Sequence, residues 1–200
     1  MNESESIKAK YFDDISIAVQ VLLNEFESGG KKLQKSVDEL QNFTDANGMR
    51  INENKSKVML FSRSKNLHDI PDIGLGKNKK LEVINRIKLL GVMVSENLKW
   101  DLNTEYICSK ARKRIFLLRN MKLSGLNTKE LIDAYKKEVR SLIEFAVPVW
   151  NSGLTLDQIR TIERVQKSSL SAILGHNYTC YEDALKLTKL DRLSTRRRNI

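Results

Sequence analysis

The sequence predicts an α+β fold: an antiparallel sheet carrying a hairpin and one packed helix, followed by an all-helical region. Three patterns predict it. Ile7, Ala9 and Tyr11 alternate with Lys8 and Lys10, and Ile15, Ile17 and Val19 alternate with Ser16 and Ala18, which is the period of a half-buried hairpin. Leu33, Val37, Leu40 and Phe43 recur at the spacing of an amphipathic helix. From Trp100 onward the apolar stripes keep that helical period.

Taken in order, the hairpin bends at Tyr11-Phe12-Asp13-Asp14 and is followed by a polar turn over residues 25–32 containing Gly29-Gly30. Residues 31–46 form the first helix, which Asn47-Gly48 stops, glycine being the preferred residue just past a helix end. A strand is expected over 57–61, a loop around a short strand over 62–80, and strands of an antiparallel sheet over 81–84 and 87–94. Gly91 falls inside the last of these, marking a bulge or a close approach of another chain segment. Ile107, Ala111, Ile115 and Leu118 make one helical stripe ended by Gly125. Leu131, Tyr135, Val139 and Leu142 make the next, opened by Asn127 and Glu130 at capping-box spacing. Pro148 and Asn151-Ser152-Gly153 interrupt the chain before a third helix with Ile159, Ile162, Val165 and Ile173 that ends at Gly175. Two short helical pieces follow, around 182–187 and 190–198. The expected division is residues 1–98, sheet and helix, and residues 99–200, helical.

Charge is distributed unevenly. The 200 residues carry 35 Lys and Arg against 25 Asp and Glu, a formal net charge of +10. Between Tyr106 and Lys129 there is no acid at all, while Lys110, Arg112, Lys113, Arg114, Arg119, Lys122 and Lys129 fall in that stretch. Such concentration suits a polyanionic partner. The longest apolar run, residues 15–23, includes Ser16 and Gln20 and is too short to span a bilayer. Cys108 and Cys180 are too few for a disulfide framework, which points to a reduced, intracellular setting, and the pair His176 and Cys180 offers too few ligands for a structural zinc site.

The Asp13-Asp14 pair is the candidate for chemistry. Nucleotidyl transfer uses two hard cations about 3.5–4 Å apart, which take oxygen ligands. Adjacent aspartates at a tight turn gather negative charge at one point, although Asp also favours solvated turns for its own hydrogen bonding.

The ordered set of segments resembles the reverse transcriptase of non-long-terminal-repeat retrotransposons of the jockey-like type. The resemblance is carried by Tyr11-Phe12-Asp13-Asp14, by residues 48–56 (Gly-Met-Arg-Ile-Asn-Glu-Asn-Lys-Ser), by residues 59–63 (Met-Leu-Phe-Ser-Arg) and by Lys88-Leu89-Leu90-Gly91-Val92. It continues with Leu98-Lys99-Trp100, Ala111-Arg112, residues 145–150 (Phe-Ala-Val-Pro-Val-Trp), and Ile162-Glu163 with Val165-Gln166. It implies an RNA-directed DNA polymerase, with residues 1–98 the C-terminal part of the palm and residues 99–200 the helical thumb. Asp13 and Asp14 would be catalytic and hold Mg2+ or Mn2+, and Lys55 would lie near the leaving pyrophosphate. Leu90, Gly91 and Val92 would form the primer grip, and Lys110, Arg112, Lys113, Arg114, Arg119 and Lys122 would contact the RNA template and DNA primer duplex. The intact enzyme would also take a dNTP. A nuclear or cytoplasmic location follows from the same likeness.

Two departures qualify these expectations. The family's other metal-binding aspartate lies on an upstream strand, and only Glu3 and Glu5 precede the turn here. Phe12 is bulkier than the small residue usual at its place. The chain therefore reads as a palm-and-thumb piece that is inactive alone, and as an alternative a non-catalytic nucleic-acid-binding remnant or pseudogene product.

Overall fold

The computed structural model describes residues 6–11, 14–22, 25–62, 71–76 and 79–200. They form a mixed helix-and-strand structure in two compact units, Met1–Asn85 and Arg86–Ile200.

In the first unit, β1 (Ile7–Tyr11) and β2 (Asp14–Ala18) form the expected antiparallel hairpin, in register from Ile7↔Ala18 to Tyr11↔Asp14. Helix α1 (Phe26–Ala46) starts earlier than its apolar period suggests and takes in the glycine pair expected to form a turn. Those glycines answer to packing. A Cβ on Gly29 would stand 2.4 Å from Val21 Cγ2, and one on Gly30 would stand 2.7 Å from Pro71 Cβ. Val37 is buried as expected, but Thr44, not Phe43, completes the inward face, leaving Phe43 exposed. The helix ends as anticipated: Gly48 is left-handed, Gly48 N–H donates to Asp45 O at 3.2 Å and Met49 N–H to Thr44 O at 2.8 Å, the two bonds of a Schellman motif.

The remaining strands of this unit are two residues long, shorter than the alternation implies. β3 (Lys57–Val58) pairs in parallel with β6 (Glu82–Val83), and β4 (Gly74–Leu75) pairs antiparallel with β5 (Lys79–Lys80). Among the described residues, the anticipated single antiparallel sheet is a set of two-stranded ladders, one of them parallel. A side chain substitutes for a further strand: the Gln34 amide accepts from Gly74 N–H at 2.7 Å and donates to Gly74 O at 3.1 Å. Val37, Val58, Ile73 and Leu75 form the small core, with Ile17, Leu33, Ile51 and Leu81 packed against it.

The second unit opens with β7 (Arg86–Leu89) and β8 (Val92–Ser95), an antiparallel hairpin where the sequence suggested one strand. The apolar run hides the turn because its two central residues are Leu90 and Gly91, at φ +44° and +91°. Positive φ at both positions is the signature of a type I′ turn. Helix α2 (Asp101–Leu123) buries Ile107, Cys108, Ala111, Ile115 and Leu118, and a second Schellman ending runs through left-handed Gly125. Helix α3 (Thr128–Tyr135) has the expected capping box, with Asn127 N–H donating to Glu130 Oε2 at 2.8 Å and Glu130 N–H to Asn127 Oδ1 at 3.1 Å. A π turn over Lys136–Arg140 joins it to α4 (Ser141–Glu144). The buried residues are therefore Leu131, Tyr135, Val139 and Ile143, not Leu142. Steps of four residues drift around a helix of 3.6 residues per turn, and the wider π turn restores the inward direction.

Helix α5 (Val147–Trp150) carries Pro148 in its first turn, where a missing N–H costs nothing. Trp150 is fully buried and donates from Nε1 to Phe145 O at 3.0 Å. Helix α6 (Leu156–Leu174) packs along α2 and opens with a second capping box, Thr155 with Gln158. Helices α7 (Tyr181–Thr188) and α8 (Leu193–Arg198) close the unit. Buried Glu163 on α6 accepts from Tyr181 Oη at 2.5 Å and from the N–H groups of Leu193 and Ser194 at 3.1 and 3.2 Å, so one carboxylate fastens both terminal helices.

Candidate nucleic-acid interface

Asp14 is exposed at the start of β2, opposite Tyr11 in the ladder, and Asp13 lies outside the described residues. Lys55 is also exposed, in a turn organised by Asn52, which accepts from the Lys55 N–H through both O and Oδ1 and from Ser56 Oγ. Among the described residues, no hydrogen bond or ion pair joins Asp14 to Lys55. No group of three or more His, Cys, Asp or Glu among them could hold a metal ion. A single exposed carboxylate is too sparse a donor set for a divalent cation. The described residues thus do not by themselves fit the metal pair that the resemblance implies.

Leu90, Gly91 and Val92 occupy the tip of the β7–β8 hairpin. Val92 is buried against the helices, and a Cβ on Gly91 would come within 2.9 Å of Phe145 Cε1. Met93 N–H donates to Asn103 Oδ1 of α2 at 3.1 Å, which fixes the hairpin to the helix that carries the basic stretch.

The cations of α2 divide by helical phase. Arg112 and Arg119, seven residues apart, are exposed on one flank of the buried stripe, with exposed Phe116 between them. Lys110, Lys113 and Arg114 lie on the other flank, also exposed, and Arg114 Nη1 pairs with Glu138 Oε2 at 3.0 Å. Lys122 falls in phase with Ile115 and Leu118, on the inward face. Its Nζ donates to Ile173 O at 2.8 Å and Ala172 O at 3.2 Å, the last carbonyls of α6, where a cation suits both the orphan acceptors and the helix dipole.

Two residues outside the sequence-predicted set complete this surface. Tyr106, one turn before Lys110, has Lys110 Nζ at 4.8 Å and Lys88 Nζ at 5.2 Å from its ring centroid. The two ammonium groups beside it, Lys110 before Lys88, hold its hydroxyl below the usual tyrosine range. The spacing of Tyr106 and Lys110 is a visible signal on α2; Lys88 gives none, because its proximity depends on how the hairpin packs.

Cys180 caps α7 with its sulfur and donates to Asp183 Oδ2 at 3.2 Å, while Cys108 is fully buried; both are free thiols. Among the described residues, no helix is long and apolar enough to cross a membrane. No protein-family model matches this chain, and neither does any curated protein or solved structure.

Proposed function

We propose that this chain is part of an RNA-directed DNA polymerase of the non-LTR retrotransposon type, with residues 1–98 the C-terminal part of the palm and residues 99–200 a helical thumb along the template–primer duplex. The observation that carries this reading is α2: Lys110, Arg112, Lys113, Arg114 and Arg119 are all exposed on a helix without an acidic residue beyond Glu105. Ammonium and guanidinium groups facing solvent along one helix neutralise backbone phosphates irrespective of base sequence, by releasing condensed counterions. The hairpin whose ladder closes at Tyr11↔Asp14 supports the palm half of the reading, since it presents an acid beside its bend. No catalytic step is assigned to the described residues.

Two measurements test the proposal. Duplex binding by the whole chain should weaken steeply with salt, and the triple variant Arg112→Gln, Lys113→Gln, Arg119→Gln should flatten the log K against log salt slope by about 0.9 for each phosphate that is no longer neutralised. Salt-insensitive binding, or none, would sink the reading. Primer extension with Mg2+ or Mn2+, abolished by Asp13→Ala, would assign catalysis to this chain. Duplex binding indifferent to Asp13, without extension, would make it a non-catalytic binding module.

A further inference from the structure

We infer that Lys88, Tyr106 and Lys110 form one seat for a single backbone phosphate of the nucleic acid, shared between the β7–β8 hairpin and helix α2. The inference rests on the duplex-binding reading above and names the residues that fix the strand against this unit. The two ammonium groups stand 5.2 and 4.8 Å from the centroid of one phenol ring, and both lysines are exposed. Neither has an ion-pair partner among the described residues; the two cations share the Tyr106 ring and its hydroxyl, which draw them without neutralising their charge. A phosphodiester resolves that arrangement: it carries one negative charge on two free oxygens, one for each ammonium, and the Tyr106 hydroxyl can donate to either. The hydroxyl is made more acidic by its neighbours, which makes it a stronger donor.

The seat is built on rigid supports. Lys88 projects from a strand whose partner is tied to α2 through the Met93 N–H to Asn103 Oδ1 bond, and Val92 and Val94 of that partner strand pack into the helical core. Lys113 continues the same flank of α2 one turn beyond Lys110, exposed. A second exposed ammonium one turn from the seat suits the repeated charge of a strand better than an isolated anion.

The test is fluorescence anisotropy of a labelled RNA–DNA hybrid duplex against the whole chain over a range of salt. Lys88→Gln and Lys110→Gln should each weaken binding while the remaining ammonium still neutralises the phosphate. Because the two lysines share one phosphate, the double variant should flatten the salt slope by about 0.9, the loss of one contact and not of two. Tyr106→Phe should weaken binding while keeping the slope, and Lys88→Arg should restore wild-type behaviour, a rescue that also shows the variant hairpin to be folded. Single variants that bind like the wild type, or a double variant that loses the slope of two phosphates, would overturn the shared seat while leaving the duplex-binding reading intact. A wild-type chain with no salt-dependent binding would overturn both. Inorganic phosphate titrated at constant ionic strength should not displace the duplex. Displacement that erases the difference between wild type and Lys88→Gln would instead make this a free-phosphate site.

Discussion

Lys122 shows how far a residue's type can mislead about its job. By composition it belongs with its basic neighbours, but its helical phase places it among buried residues, and its ammonium closes the end of α6 where a Cβ on Gly175 would stand 2.5 Å from Nζ. Lys122→Met, which keeps the stem and loses the donor, should lower stability by about 1–2 kcal/mol in denaturant unfolding. In the duplex-binding assay that tests the proposed function, Lys122→Met should keep the wild-type salt slope; a flatter slope would place Lys122 among the residues proposed to contact phosphate. Tyr135 carries a different prediction. It is fully buried, its hydroxyl has no hydrogen-bond partner among the described residues, and burial pushes its ionisation far up. The folded state therefore holds this proton at pH values where the unfolded chain has released it. The contribution is complete below the unfolded pKa of about 10 and declines above it, by about 1.4 kcal/mol per pH unit. Tyr135→Phe should remove that part of the alkaline loss and, by deleting an unpaired polar group, should raise stability at neutral pH by about 1 kcal/mol. Equal alkaline slopes for the two proteins would refute the assignment.

Elements are legible in proportion to their length. Helices α2, α3 and α6 repeat their apolar pattern over several turns and carry caps that can be read directly: the Asn127–Glu130 box is plain in the sequence, and Thr155–Gln158 has the same spacing. Ladders of two residues leave no period to read, which is why the sequence places β3 to β6 only loosely and gives no sign of a parallel pair. The β7–β8 hairpin escapes for a chemical reason. Its turn places leucine where Asn, Asp or Gly is usual, so the apolar run continues unbroken through the bend. Leu90→Asn should relieve the left-handed strain at φ +44° and stabilise the helical unit by about 0.5–1 kcal/mol. Gly91→Ala should do the opposite, since φ is +91° and the new methyl would meet the Phe145 ring. Thermal unfolding that ranks the two variants the other way round would rule out the turn assignment.

At the scale of the molecule, the two units differ in how much apolar surface they bury. The helical unit gathers a continuous core from α2, α3, α4, α5, α6, α7 and α8, with Tyr135, Ile143, Trp150, Ile162 and Leu170 fully enclosed. The core of the first unit among the described residues is Val37, Val58, Ile73 and Leu75, while Ile7, Leu22 and Phe43 stay more than half exposed. Burial contributes about 25 cal/mol per Å², so four buried side chains offset far less chain entropy than the larger cluster does. The first unit should therefore unfold at lower denaturant than the second. The distribution of chromophores makes this separable, because Trp100 and Trp150 both belong to Arg86–Ile200. Far-UV circular dichroism should show an early loss of α1 to which tryptophan fluorescence is blind, followed by a transition common to both probes. Buried Cys108 should become reactive towards a thiol reagent only in the second step, whereas exposed Cys180 reacts throughout. Coincident transitions by all three probes would mean that the small core gains its stability by unfolding cooperatively with the rest, and would contradict a stepwise order.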